Sequence, residues 1–445
     1  VPPPPKWRKT EPGGEAGGLG RLSYPPPTSC RSKEARVDAK LKVYRNLYPQ
    51  VYDYGSLYWA YRNARKGKRN RAEVQQFENL LEDNLIELQN ELIWKTYRQS
   101  PYREFYVHEP KKRLIMALPF RDRVVQWSIY MTINPILERK YIHDSYACRI
   151  GKGTHKALAR VYGWLRHNPD LKYVLKLDIH KYFYRVNHDI LLSLYAKFIK
   201  DDDLLWLLEH IIRANDGRLG VAEGSITYET RACGVGMAVG NLVSQMSANV
   251  YLNEVDQFVK HKLKVKYYAR YMDDLLVLAD NKCYLHEVKA EIQEFLLTHL
   301  ALKTNNKTQI RPVRDGIEWV GFRVWPTHIK MRKSTAKRMK RRLRALMRKY
   351  QRGEMDWQAV NQSVQSYFGM LKHCNSYRLR NAIFGPDGWF VLQRGETECF
   401  EQDSVTFGGG FSTPFRDWRW SIVPSTNFRQ RQTTQSCPAR RSLAL

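Results

Sequence analysis

The chain has little cysteine, little acid and no long apolar run, and each shortage removes a class of function. Its seven cysteines, among 445 residues, are scattered and odd in number, and none forms a CxxC pair. That spacing excludes a zinc module or a disulfide framework and fits a reducing compartment. No apolar stretch is long enough to span a bilayer, and the start, VPPPPKWRKTEPGG, carries no apolar signal-peptide core behind its basic residues. The expected location is cytoplasmic, without a membrane partner. Acidic residues number 44 against 74 Lys and Arg, a formal net charge of +30. Self-repulsion of that size favours a polyanionic partner, and nucleic acid leads that class.

What is present divides the chain into unequal parts. Residues 1–38 are rich in Pro, Gly, Ser and charge and read as a disordered tail. From residue 39 the pattern turns helical, with Leu81, Ile86, Leu88, Leu92 and Ile93 at helical spacing. Strands and helices then interleave to about residue 325 without a strict βαβ repeat, which predicts an α+β layer with helices on one face. LKYVLKLD reads as a strand, and VKYYARYMDDLLVLAD as two strands around an acidic turn. Residues 326–384 are helical and basic. Within them MRKSTAKRMKRRLRALMRKY has no acidic residue, and Met339, Leu343, Leu346 and Met347 form one apolar stripe opposite a cationic face. That face is either solvated or bound to phosphate. Residues 385–445 contain Arg but no Lys and show no periodicity, so they read as an irregular extension.

Template-directed polymerisation needs two divalent cations roughly 3.5–4 Å apart. Hard Mg²⁺ takes oxygen donors, usually one or two carboxylates with phosphates and water. Such a site places carboxylates at the ends of adjacent strands. Asp178 ends one apolar strand, and Asp273 and Asp274 sit at the hairpin turn. Adjacent carboxylates repel one another, and a cation relieves the repulsion. An ordinary Asp-rich turn is the competing account of that turn alone.

Seven sequence blocks, in order, resemble the reverse transcriptase family over about residues 40–384: RLIMALPFRDRVVQ, SYACRIGKGTHKAL, LDIHKYF, GNLVSQ, YMDD, NNKTQI and IEWVGFRV. The resemblance implies a right-hand polymerase fold: fingers and a palm of antiparallel sheet backed by helices over 39–325, and a helical thumb over 326–384. It implies a metal set of Asp178, Ile179, Asp273 and Asp274 holding two Mg²⁺ ions, with Mn²⁺ as the substitute. Phe183 falls where the family has an aromatic gate against a 2′-hydroxyl; a core aromatic is the alternative. Arg121 and Arg123 are candidates for triphosphate oxygens, or else for surface salt bridges. Lys307 is a candidate general acid toward pyrophosphate, or a solvated loop lysine. Gly240 would let the backbone approach the new base pair. Arg338, Lys340, Arg341, Arg342 and Arg344 are candidates for duplex phosphates. His155 and His180 have no metal-ligand spacing.

The segment Val239-Gly240-Asn241-Leu242-Val243-Ser244-Gln245 narrows the resemblance. Many family members carry Gln where Val239 stands and Pro where Gln245 stands. The pattern here is similar to that of diversity-generating retroelements, bacterial or phage-borne, whose enzymes copy a template-repeat RNA with adenine-directed errors. That resemblance implies template RNA, a primer, dNTPs, an RNA–DNA hybrid product and a small basic pentameric accessory protein. Retron, group II intron-like and defence-associated reverse transcriptases are the alternatives, and a non-catalytic RNA-binding protein of this fold is another.

Overall fold

A computed structural model describes residues 42–108, 113–214, 217, 220–221, 231–385 and 388–390. The expected tail over 1–38 and nearly all of the expected extension over 385–445 lie outside the described residues. The chain divides into two compact units, Val1–Ser376 and Tyr377–Leu445. The described part of the second is the helix Tyr377–Phe384 and a few residues after it.

In the first unit, helices α1 (Tyr48–Tyr52), α2 (Tyr54–Ala64), α3 (Ala72–Asn79) and α4 (Leu81–Ile93) precede a hairpin of β1 (Arg103–Val107) and β2 (Arg113–Ala117). The long α5 (Phe120–Glu138) follows, and α2 packs along it. On α4 the buried residues are Leu85, Leu88 and Leu92, whereas Ile86 and Ile93 are exposed. This corrects the stripe expected from sequence. At about 100° per residue, Leu81, Leu85, Leu88 and Leu92 fall on one line, and Ile86 and Ile93 lie roughly a third of a turn away.

The central sheet has four strands in the order β6-β7-β3-β8, all antiparallel. These are β3 (Tyr173–Asp178), β6 (Tyr267–Tyr271), β7 (Asp274–Ala279) and β8 (Gln309–Pro312). The short β4 (Gly220–Val221) and β5 (Arg231–Ala232) form a separate pair. Leu275 to Ala279 are all buried, because β7 is central and covered on both faces. Leu175, Leu177, Leu275 and Val277 join the larger core with α5, and Val174, Leu276 and Leu278 join a second core that holds Trp319. Helices α6 (Thr154–His167) and α11 (Lys282–Leu300) pack on these strands, and α7 (Tyr182–Arg185), α8 (His188–Ala196), α9 (Asp202–Arg213) and α10 (Leu242–Gln257) contribute buried residues to the larger core. The helix expected after Gly240 is present as α10, and it closes in a π-helical turn over Phe258–Lys262.

A three-stranded sheet of β9 (Ile317–Trp319), β10 (Phe322–Val324) and β11 (Ile329–Met331) leads into α12 (Lys333–Gln351) and α13 (Trp357–Leu371). On α12 the buried residues are Met339, Leu343, Leu346 and Met347, the stripe read from the sequence.

Candidate active site

The catalytic candidates meet at one end of the central sheet. Strand β3 pairs with β7 so that Asp178 lies opposite Asp274. Strands β6 and β7 form a hairpin in which Tyr271 pairs with Asp274, leaving Met272 and Asp273 as the turn. Met272 takes a left-handed φ of 55°, a conformation that side chains resist and that clusters at functional sites. The Ile179 N–H points at the Asp273 carbonyl at 3.4 Å, and the Ile179 side chain is buried. Two strand ends and one tight turn therefore bring Asp178, Ile179, Asp273 and Asp274 together.

The electrostatics of the turn are unfavourable for the protein alone. Burial, then the neighbouring charges of Asp274 and Asp178, push the Asp273 carboxyl up to about 6, and Arg113 offsets part of this. Lys176 Nζ lies 3.4 Å from Asp274 Oδ1. Asn305 donates from Nδ2 to Asp178 Oδ2 at 3.3 Å and from its backbone N–H to the Asp178 carbonyl at 2.6 Å. Among the described residues no three His, Cys, Asp or Glu side chains converge into a ready-made metal cage. A cage is not required for Mg²⁺, which needs one or two carboxylates beside phosphates and water. The donor set fits: hard oxygen donors, one of them half-buried among like charges. Divalent ions held there would supply a clamp on the attacking 3′-oxygen and the leaving pyrophosphate.

The remaining candidates fall into two groups. Beside the carboxylates, the loop after α11 bridges to β3 through Ile179 and Thr304. That loop carries Lys307, whose side chain is exposed and whose N–H donates to Asn305 Oδ1 at 3.2 Å. Phe183 lies on α7, half-buried against the larger core, its ring edge-on to Tyr182 at 5.4 Å. The Val239 carbonyl accepts from the Met116 N–H of β2 at 3.2 Å. Gly240 has a φ of 119°, and a Cβ there would come within 3.3 Å of Ile115. The β1–β2 hairpin and the start of α10 thus meet at Val239 and Gly240. Gln245 is half-buried in the first turn of α10.

Farther out, Arg121 pairs with Glu91 of α4, and Arg123 pairs with Glu73 of α3 at 2.9 Å. Arg123 also donates from Nε to the Leu118 carbonyl at 2.8 Å. Both guanidinium groups are thus engaged by α4 and α3. On α12, Arg341, Arg342 and Arg344 are exposed, and Arg338 and Lys340 are half-buried. His155 stacks on His373 with ring centroids 3.6 Å apart, and His180 is lowered by burial and by Arg185 and Lys181.

One further residue gained a role only in three dimensions. Asn241 does not cap α10 with its own side chain; the N–H groups of Leu242 and Val243 are met by Gln126 Oε1 of α5, at 3.1 and 3.3 Å. Those N–H groups need an acceptor when buried. The partner lies 116 positions away in sequence, so no local pattern could have marked it.

A family model described as reverse transcriptase (RNA-dependent DNA polymerase) matches residues 107–324. Protein YkfC of Escherichia coli (strain K12) is 26% identical over 274 residues, covering 53% of this chain and 70% of the relative. The group II intron-encoded protein LtrA of Lactococcus lactis subsp. cremoris is 26% identical over 246 residues, covering 54% of this chain and 38% of LtrA. A solved structure of apo telomerase from Candida tropicalis aligns with a TM-score of 0.38 at 14% identity, over 55% of this chain and 59% of that one. With the paired strand ends and acidic turn described above, the chain carries a reverse transcriptase, RNA-directed DNA polymerase, domain over residues 107–324, with a group II intron-encoded protein among its relatives.

Proposed function

We propose that this polymerase copies a template-repeat RNA into cDNA, with errors concentrated at adenines, for a diversity-generating retroelement. The observation that carries this reading is the segment 239–245, with aliphatic Val239 before Gly240 and Gln245 at its end. The backbone of that segment is fixed by β2, while the Val239 side chain offers no hydrogen-bonding group. An enzyme with an amide at this position has one more group to hold the incoming nucleotide. Its absence weakens positional control, and misplacement is costly for a reaction that depends on near-attack geometry. The metals are two Mg²⁺ ions, with Mn²⁺ as substitute, on Asp178, Asp273, Asp274 and the Ile179 backbone. Arg121 and Arg123 exchange their carboxylate partners for triphosphate oxygens when substrate binds. The basic face of α12 follows the RNA–DNA duplex by its shape and phosphates. A small basic pentameric accessory protein completes the complex.

A second reading, a group II intron-like reverse transcriptase, is favoured by the likeness to LtrA. Primer extension on a defined RNA template with Mg²⁺ and dNTPs, followed by product sequencing, separates the two. Errors concentrated opposite template adenines support the retroelement, and Val239→Gln should lower them. Accurate cDNA supports the intron-like reading. An Asp273→Ala, Asp274→Ala double variant that still makes cDNA would refute the site.

A further inference from the structure

The turn that carries Asp273 is held from behind by a buried ion pair with no part in the site described so far. Arg270 on β6 and Asp256 near the end of α10 are both fully buried. Arg270 Nε lies 2.8 and 2.9 Å from the two Asp256 oxygens, and Nη2 lies 2.7 Å from Oδ2. Tyr268 donates to the same carboxylate at 2.6 Å. The rest of the guanidinium reaches outward: Nη1 to the Met272 carbonyl at 3.1 Å and Asn249 Oδ1 at 3.2 Å, and Nη2 to Ser145 Oγ at 3.0 Å. A guanidinium has five N–H donors in a fixed fork, and this set of acceptors uses the whole fork.

A buried pair needs its counter-charge and its remaining donors satisfied, which Asp256, Asn249 and Ser145 could do in any core. The contact to Met272 is different. It fixes the carbonyl of the residue at left-handed φ, immediately before Asp273. The backbone around Arg270 is tied as well: its N–H donates to the Asp144 carbonyl, and its carbonyl accepts from the Tyr146 N–H, each at 3.0 Å. The fork therefore sits on an immobile base and ends on the strained turn.

We propose that Arg270 is a positioning residue for polymerisation: locked by Asp256, it holds the Met272 carbonyl and so aims the Asp273 carboxylate. The inference rests on the polymerase activity of the domain, which the unaltered protein reports in the same assay. Arg270→Lys keeps a positive charge for Asp256 but gives up the planar fork, so it cannot hold both Asp256 and the turn. The test compares single-turnover dNTP incorporation on a bound primer–template. For Arg270→Lys the expected result is a loss of about 10- to 100-fold in kcat, with KM for dNTP and Kd for primer–template changed by less than about twofold. Circular dichroism and thermal unfolding verify that the variant folds. Adding Met272→Asn, which tolerates the left-handed turn without being held, should recover most of the lost kcat. An unchanged kcat, a loss confined to KM or Kd, or no recovery with Asn at 272 overturns the proposal. If Arg270→Lys does not fold, Ser145→Ala takes its place: it removes one hydrogen bond from Nη2 and leaves the ion pair. A several-fold fall in kcat alone supports the proposal, and an unaltered kcat overturns it.

Discussion

Removing the charge of Asp273 should stabilise the metal-free protein while abolishing polymerisation. The carboxyl is raised from an ordinary 3.8 to about 6 by burial and by Asp274 and Asp178. The folded state therefore binds that proton more tightly than the unfolded chain does. The cost of ionisation is absent below the unfolded value, grows as pH rises between the two values and is complete above the folded one. From 3.8 to about 6 this amounts to roughly 3 kcal/mol at pH 8 and about half of that at pH 5. Asp273→Asn escapes it. Thermal unfolding in chelator at pH 8 should show the variant several degrees above the parent, with the gap about halved at pH 5. Saturating Mg²⁺ should then raise the parent more than the variant, because a ligand that binds only the folded state stabilises it by mass action. A gap that does not change with pH would refute the electrostatic account of the turn. A parent indifferent to Mg²⁺ would refute its assignment as a metal site.

Other substitutions test the fold and the nucleic-acid face. Leu88→Ala, on the buried line of α4, should cost about 2–5 kcal/mol in urea denaturation, whereas Ile86→Ala on the exposed side should fall within about 0.5 kcal/mol of the parent. Gly240→Ala forces a side chain into φ 119° and to within 3.3 Å of Ile115; it should cost about 1–3 kcal/mol and slow primer extension. Arg342→Gln on the exposed face of α12 should weaken RNA–DNA binding and lower the slope of log K against log salt by about 0.7–0.9. An unchanged slope would remove Arg342 from the phosphate contacts.

Much of the central sheet and of α12 was legible because the signals are local. An apolar run ending in Asp178, two apolar arms around YMDD and a single apolar stripe on α12 each specify an element without outside help. The α4 stripe was misread for a reason of the same kind: Ile86 and Ile93 are apolar at near-helical spacing, and only the line through Leu85 shows which face is covered. What escaped the sequence lies at long range. The Gln126 cap on α10 and the Arg270 contact to Ser145 join residues 116 and 125 positions apart. A single sequence carries no trace of such pairings. Whether Arg121 and Arg123 meet phosphate or carboxylate likewise depends on Glu91 and Glu73, which sit on other helices.

The acidic turn breaks two local rules at once, with a side chain at left-handed φ and like charges side by side. A turn chosen for stability would place Gly or Asn at 272 and separate the charges. Departures of this kind are expected where function sets the geometry, and they persist only when the surroundings over-determine them. Here the surroundings answer each departure separately. The Arg270 fork meets the backbone strain, from residues that never reach the solvent. The charge repulsion meets only partial relief, from Lys176 beside Asp274 and from Arg113. The strain is thus settled within the folded chain, and the repulsion is left for a cation. Under the proposed metal assignment, that division would let the site be rigid before its metals arrive and still bind them.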